Sequence, residues 1–141
     1  MKDAAMTADA ILALMREGFL DWDKSGVSIE SVGWRASRLR LAFHDRHLRA
    51  GGTINGPTMF MLADTALFIA VLASVGPKAL AVTTNMSINF MRKPPPRDLI
   101  ALCRLFKVGA RLAVGEVSIF SDGDEDEPVA HATGSYSIPP Q

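Results

Sequence analysis

From Met59 to Ala73 the only polar residues are Asp64 and Thr65. A helix over this stretch is apolar almost all round, and such a helix is stable only where other elements wrap it. The rest of the chain must therefore enclose it. Its start is marked by Asn55, which can cap free backbone donors, and by Pro57, whose missing N–H fits a first turn that needs none. Gly56 between them lets another molecule approach the backbone closely. Asp64 is the one acid in the run, and a carboxylate buried without partners is costly. Two readings follow: an acid tied to a neighbouring hydroxyl or amide to fix packing, or an acid with a catalytic task.

At 141 residues the chain predicts a single domain, 1–141, with a sizeable core. Fifteen basic residues balance fifteen acidic ones, so nothing points to nucleic acid as a partner. A 48% hydrophobic composition without net charge suits a protein that associates with itself. The single Cys103 excludes an intrachain disulfide and reads as a reduced core residue. Lys2, Asp3, Asp9, Arg16 and Glu17 interrupt the apolar positions near the start and spoil a signal-peptide pattern. The central apolar run is shorter than about 18 residues and interrupted by Asp64, so it does not read as membrane-spanning. These features predict a cytoplasmic location.

Thr7 through Trp22 places Ile11, Leu12, Met15, Phe19 and Trp22 on one face, predicting a surface helix packed on the body. Val27 to Trp34 and Ser37 to Phe43 read as strands; in the second, Leu39, Leu41 and Phe43 alternate with Arg38, Arg40 and Ala42. His44 to Thr53 reads as a loop into the central helix, which Gly76-Pro77 ends. Four further strands are predicted at Leu80–Met91, Leu99–Val108, Leu112–Ser121 and Val129–Ile138. The turns between them, at Lys93–Arg97, Gly109–Arg111 and Asp122–Pro128, are short, which predicts antiparallel neighbours. The layout is α+β: a curved antiparallel sheet of about six strands around one long helix, with an N-terminal surface helix. The acidic run Asp122–Glu127 reads as a solvated hairpin loop, since it lacks the spacing and closing Glu of a calcium loop.

Gly52-Thr53-Ile54-Asn55-Gly56, the Leu62-Ala63-Asp64-Thr65-Ala66 box and Asn89-Phe90-Met91-Arg92-Lys93-Pro94 together resemble the hotdog-fold acyl-CoA thioesterases of the phenylacetate-degradation (PaaI-like) group. Asp98, Arg111-Leu112-Ala113-Val114 and Val129-Ala130 continue the likeness, which runs from about Val27 to Ile138. The resemblance implies a hotdog fold and hydrolysis of an acyl-CoA at a homodimer interface, with dimers pairing further, and no metal or redox cofactor; coenzyme A is part of the substrate. It assigns Gly56 to polarising the thioester carbonyl through its N–H, and Asp64 to activating water or attacking directly. Thr83 matches the residue that holds the water or the acid, although a β-branched residue is also ordinary in a strand.

The interface has a physical argument of its own. Eight residues at about 1.5 Å each separate Gly56 from Asp64 by about 12 Å along one helix, whereas oxyanion donor and base must both reach one reacting group. Two antiparallel copies can supply Gly56 from one subunit and Asp64 from the other. Arg92 and Lys93, with Arg97 behind them, are candidates for the coenzyme A phosphates, against a reading as a basic solvated turn.

Three positions depart from the resemblance. Asn55-Gly56-Pro57 stands where the group has His-Gly-Gly, so the side chain beside the oxyanion donor is an amide that does not titrate near neutral pH, and Pro57 removes a second donor. Arg49 stands where relatives carry an Asn, and either binds an acyl or phosphate group or points outward. Met59, Phe60, Met61 and Phe68 are candidates for an acyl pocket or for core. His44, His47 and His131 have no metal-ligand spacing, and no motif activates a Ser or Cys nucleophile. The alternative to an enzyme is a non-catalytic acyl-CoA binding or sensing protein on the same fold; a dehydratase is weaker, since its His and Asp pair is not found.

Overall fold

A computed structural model of the chain describes residues 2–140. Helix α1 (Ala8–Gly18) is followed by strands β1 (Val27–Gly33) and β2 (Ala36–Leu41), the central helix α2 (Gly56–Val75), and then β3 (Val82–Phe90), β4 (Leu99–Val108), β5 (Leu112–Ser121) and β6 (Ala130–Ser137). Single 3-10 turns lie at Trp22–Lys24 and Asp45–His47. The strands form one antiparallel sheet in the order β1-β2-β4-β5-β6-β3, with α2 against its inner face.

Helix α2 forms where the apolar run predicts and begins where Asn55 and Pro57 mark its start. The Asn55 side chain accepts the Thr58 N–H at 2.8 Å, Pro57 occupies the first turn, and Gly76 ends the helix at φ 97°. Its 20 residues exceed the length of the apolar run, and by length and apolarity (mean hydropathy 2.0) they suffice to cross a bilayer, yet 67% of that window is buried in the protein itself. Ala63, Ala66, Ala70 and Ala73 are fully buried, and their small side chains let the sheet close on the helix. Ser37 of β2 is tied to it as well, its hydroxyl donating to the Ala66 carbonyl at 2.8 Å.

Two sequence expectations need correction. Helix α1 stops at Gly18 instead of reaching Trp22, because Phe19 turns extended (φ −132°, ψ 104°) beyond the flexible glycine. Trp22 still reaches the core, through the 3-10 turn. The segment around Lys93–Arg97 does not join neighbours: β3 pairs with β6 at the far edge, with β5 and β6 between it and β4. Pro94, Pro95 and Pro96 have no N–H for a ladder, so the chain crosses the end of the sheet instead of folding into a hairpin. Pro94 accepts the Ile54 N–H there at 3.0 Å, which ties the crossing to the start of α2. The turns at Gly109–Arg111 and Asp122–Pro128 do connect adjacent strands.

The acidic loop is not merely solvated. Asp122 pairs with Arg40 at 2.9 Å, Glu125 with Arg38 at 3.0 Å, and Glu127 with Arg92. Glu30 of β1 receives both Arg38 and Arg40, and these guanidinium groups, Arg40 foremost, hold its carboxyl below the usual range. The outward arginines of β2 therefore fasten the β5–β6 loop, in a solvent-exposed network whose single pairs add little stability.

Candidate active site

Asp64 lies partway along α2, half-buried, and two hydroxyls converge on its Oδ1. Thr83 Oγ1 donates at 2.6 Å and Tyr136 OH at 2.6 Å; the phenol also lies 3.1 Å from the Asp64 carbonyl oxygen. Thr83 and Tyr136 are directly opposed in the β3–β6 register, so one rung of the sheet supplies both donors. Burial, and then the neighbouring Asp64, pushes the Tyr136 phenol well above the usual tyrosine range, so it stays protonated and donates. Among the described residues no hydrogen bond engages Oδ2. One carboxylate oxygen is thus anchored and the other carries no hydrogen bond among the described residues.

Tyr136 is the residue that sequence reasoning missed. It is the chain's one tyrosine, and it continues an inward series with Ala130, Ala132 and Gly134 on alternate positions of β6. A phenol at such a position needs a buried acceptor, and the lone acid of the central helix is the natural one. That was the available signal.

The other candidate residues divide in two. Phe68 stacks on Tyr136 (ring centroids 6.0 Å apart, 27° between planes) and meets the edge of Phe19 at 5.8 Å. Asp64, Thr83, Phe68 and Tyr136 line one cleft of about 770 Å³. Gly56 and Pro57 line a second, about 640 Å³, that also reaches Asp64 and includes Phe60, Ile88 and Phe90. The Gly56 N–H has no hydrogen-bond partner among the described residues. A Cβ there would sit 3.3 Å from the Phe90 ring, so the glycine lets that ring lie against the helix start. Asn55 spends its side-chain oxygen on the helix cap, which leaves its amide donors for a ligand.

Arg49, Arg92 and Lys93 lie outside both Asp64 clefts. Arg49 is exposed in a tight loop, its N–H bonded to the Thr53 carbonyl at 2.8 Å, and its guanidinium makes no polar contact among the described residues. Arg92 is taken up by Glu127, and Lys93 is exposed. Cys103 is buried, with its thiol pushed up to about 12, and is no nucleophile. His47 is buried and held below the usual histidine range, by desolvation first and then by Arg46, while His131 pairs with Glu116 at 2.9 Å. Among the described residues no three His, Cys, Asp or Glu side chains are grouped to hold a metal.

An antiparallel sheet curved around a single buried helix, with an oriented acid where helix and edge strand meet, is the hotdog fold. Residues 51–127, more than half of the chain, match the model of the thioesterase superfamily. The chain belongs to that superfamily and is a thioester hydrolase. It is 31% identical over 123 residues to a Halobacterium salinarum protein assigned as an esterase, with 80% of each chain covered. The crystal structure of a protein assigned as a thioesterase from Silicibacter sp. is 46% identical, with TM-score 0.87 over 97% of this chain and 94% of that one. The PaaI protein of the Escherichia coli phenylacetic acid degradation operon shares the fold at 21% identity, with TM-score 0.79 over 91% and 90% of the two chains.

Proposed function

We propose that the protein hydrolyses acyl-CoA thioesters at the interface of a homodimer, with Asp64 of one subunit as general base or nucleophile and the Gly56 N–H of the other polarising the carbonyl. The observation that carries this reading is the Asp64 carboxylate, held at Oδ1 by Thr83 and Tyr136 with Oδ2 free at a cleft. As general base, Oδ2 takes a proton from water as the water oxygen bonds to the carbonyl carbon and gives it to sulfur as the C–S bond breaks; as nucleophile, Oδ2 bonds to that carbon, the thiolate leaves, and water then cleaves the resulting anhydride. The start of α2 carries an unpaired N–H and the positive end of the helix dipole, both suited to the oxyanion. This chemistry uses no metal and no redox cofactor.

A dimer is supported by what the single chain leaves uncovered. Strand β3 is a sheet edge with no partner on its outer side. The uncovered stripe of α2 includes Gly56, Pro57, Phe60, Met61 and Asp64, and Phe60 is 41% exposed. Antiparallel pairing of two β3 strands about their middle, Met86, sets Thr83 of one opposite Asn89 of the other, next to Phe90. Thr83 holds Asp64 and Phe90 covers Gly56, so the pairing brings base and oxyanion donor together across the two-fold axis.

The test is thiol release from a panel of acyl-CoAs, with Asp64→Asn measured alongside. Wild-type turnover that disappears in a variant of unchanged circular dichroism is the expected outcome. An Asp64→Asn protein as active as wild type overturns the mechanism.

A further inference from the structure

The cleft between Asp64 and the segment that follows α1 has a charge pattern that bears on substrate choice. Phe68, flanked by Tyr136 and Phe19, forms an aromatic wall next to the carboxylate. Because α1 ends at Gly18 and Phe19 turns extended, Phe19 folds back onto Phe68 while Leu20 is left 97% exposed at the rim. Val82 of β3 lines the same cleft and is 57% exposed. Exposed apolar side chains around a concave site mark a place where an apolar ligand is covered. The ionisable groups of the lining are Asp64, Tyr136 and Asp21, whose carboxylate makes no hydrogen bond among the described residues. Among the described residues no Lys, Arg or His lines this cleft; the neighbouring cationic side chains, Lys24 and Arg46, line an adjoining cleft beside Asn55 that shares Asp21, Ser25 and Met61 with it.

Resting on the thioesterase reading, we propose that this cleft is the acyl subsite and that it selects uncharged, apolar acyl groups against acyl groups ending in a carboxylate. An apolar chain covers Phe19, Leu20 and Val82 and gains from their burial. A terminal carboxylate entering the same space loses its hydration and meets Asp21, with no cation among the lining residues to pair with. Asp21 therefore acts by repulsion, which gives specificity through what it excludes.

The experiment compares octanoyl-CoA with suberoyl-CoA, thioesters of equal chain length that differ by the terminal carboxylate, in wild type, Leu20→Lys and Leu20→Gln. Leu20 is solvent-exposed, so both variants fold. Wild type is expected to favour octanoyl-CoA by roughly 100-fold in kcat/KM. Leu20→Lys, which places a cation at the rim, narrows that ratio by about tenfold relative to Leu20→Gln. Equal use of the two thioesters by wild type, or identical ratios in the two variants, overturns the proposal while leaving the hydrolase reading intact. If neither thioester is cleaved, nor any other acyl-CoA, the acyl-CoA reading falls. Calorimetric binding of the same pair to the unreactive protein then decides the subsite by itself: preference for octanoyl-CoA supports it and equal affinity rejects it.

Discussion

Asp64 shows how one side chain acquires a role from its neighbours. As a lone carboxylate in an apolar helix it has two readings, packing anchor or catalyst, and the hydrogen bonds at Oδ1 satisfy the first without using Oδ2. Tyr136 is then a positioning residue in the proposed mechanism: it fixes the carboxylate through Oδ1 and takes no proton from the reacting groups. Removing its hydroxyl in Tyr136→Phe keeps the ring against Phe68 but deletes a hydrogen bond to a charged group, worth about 1.5 to 3 kcal/mol. Steady-state kinetics should show kcat lowered roughly 10- to 100-fold with KM nearly unchanged. Full activity would show that Thr83 alone suffices. Thr83 was legible only through the family resemblance, whereas Tyr136 depends on a strand pairing that no local pattern states.

At the scale of elements, the site exists because β3, β6 and α2 meet closely. Gly134 on β6 makes that approach possible: a Cβ there would stand 2.8 Å from Leu67 Cδ1 of α2 and 3.0 Å from the Asn85 carbonyl oxygen of β3. The leucine tip can move, but the backbone oxygen must shift with its strand. Gly134→Ala should therefore cost about 1 to 3 kcal/mol and also lower turnover by displacing Thr83 and Tyr136 from Asp64. Gly33→Ala, with open space around the new methyl, is the control. Urea denaturation and activity on the same preparations check both effects, and a Gly134→Ala protein as stable as Gly33→Ala would refute the close-approach account. Strand periodicity identified all the sheet elements to within a few residues, with β4 and β5 at the bounds read from the sequence. The short Lys93–Arg97 connection gave β3 the wrong neighbour, and alternation could not correct it, because it reports which face is wet and says nothing about which strand lies alongside.

For the whole molecule, the uncovered stripe of α2 and the free edge of β3 define the surface through which two copies are proposed to complete each other. Phe60, one turn from Gly56 and one from Asp64, is the place to disrupt it. Phe60→Glu should yield a folded monomer by sedimentation, without turnover, because a charge facing an apolar counterpart is left unpaired on burial. A monomer that keeps wild-type activity would reject the shared site. What the sequence by itself determined is the wrapped central helix, its capped start, the alternating strands and the lone acid, since burial periodicity and capping are local and leave their pattern residue by residue. Only the tertiary structure decided that β3 lies beside β6, that Tyr136 reaches Asp64, and that Arg92 is occupied by Glu127 while Arg49 lines neither Asp64 cleft. Those outcomes depend on strand register and on contacts between residues far apart in the chain, which closing the sheet around the helix selects together.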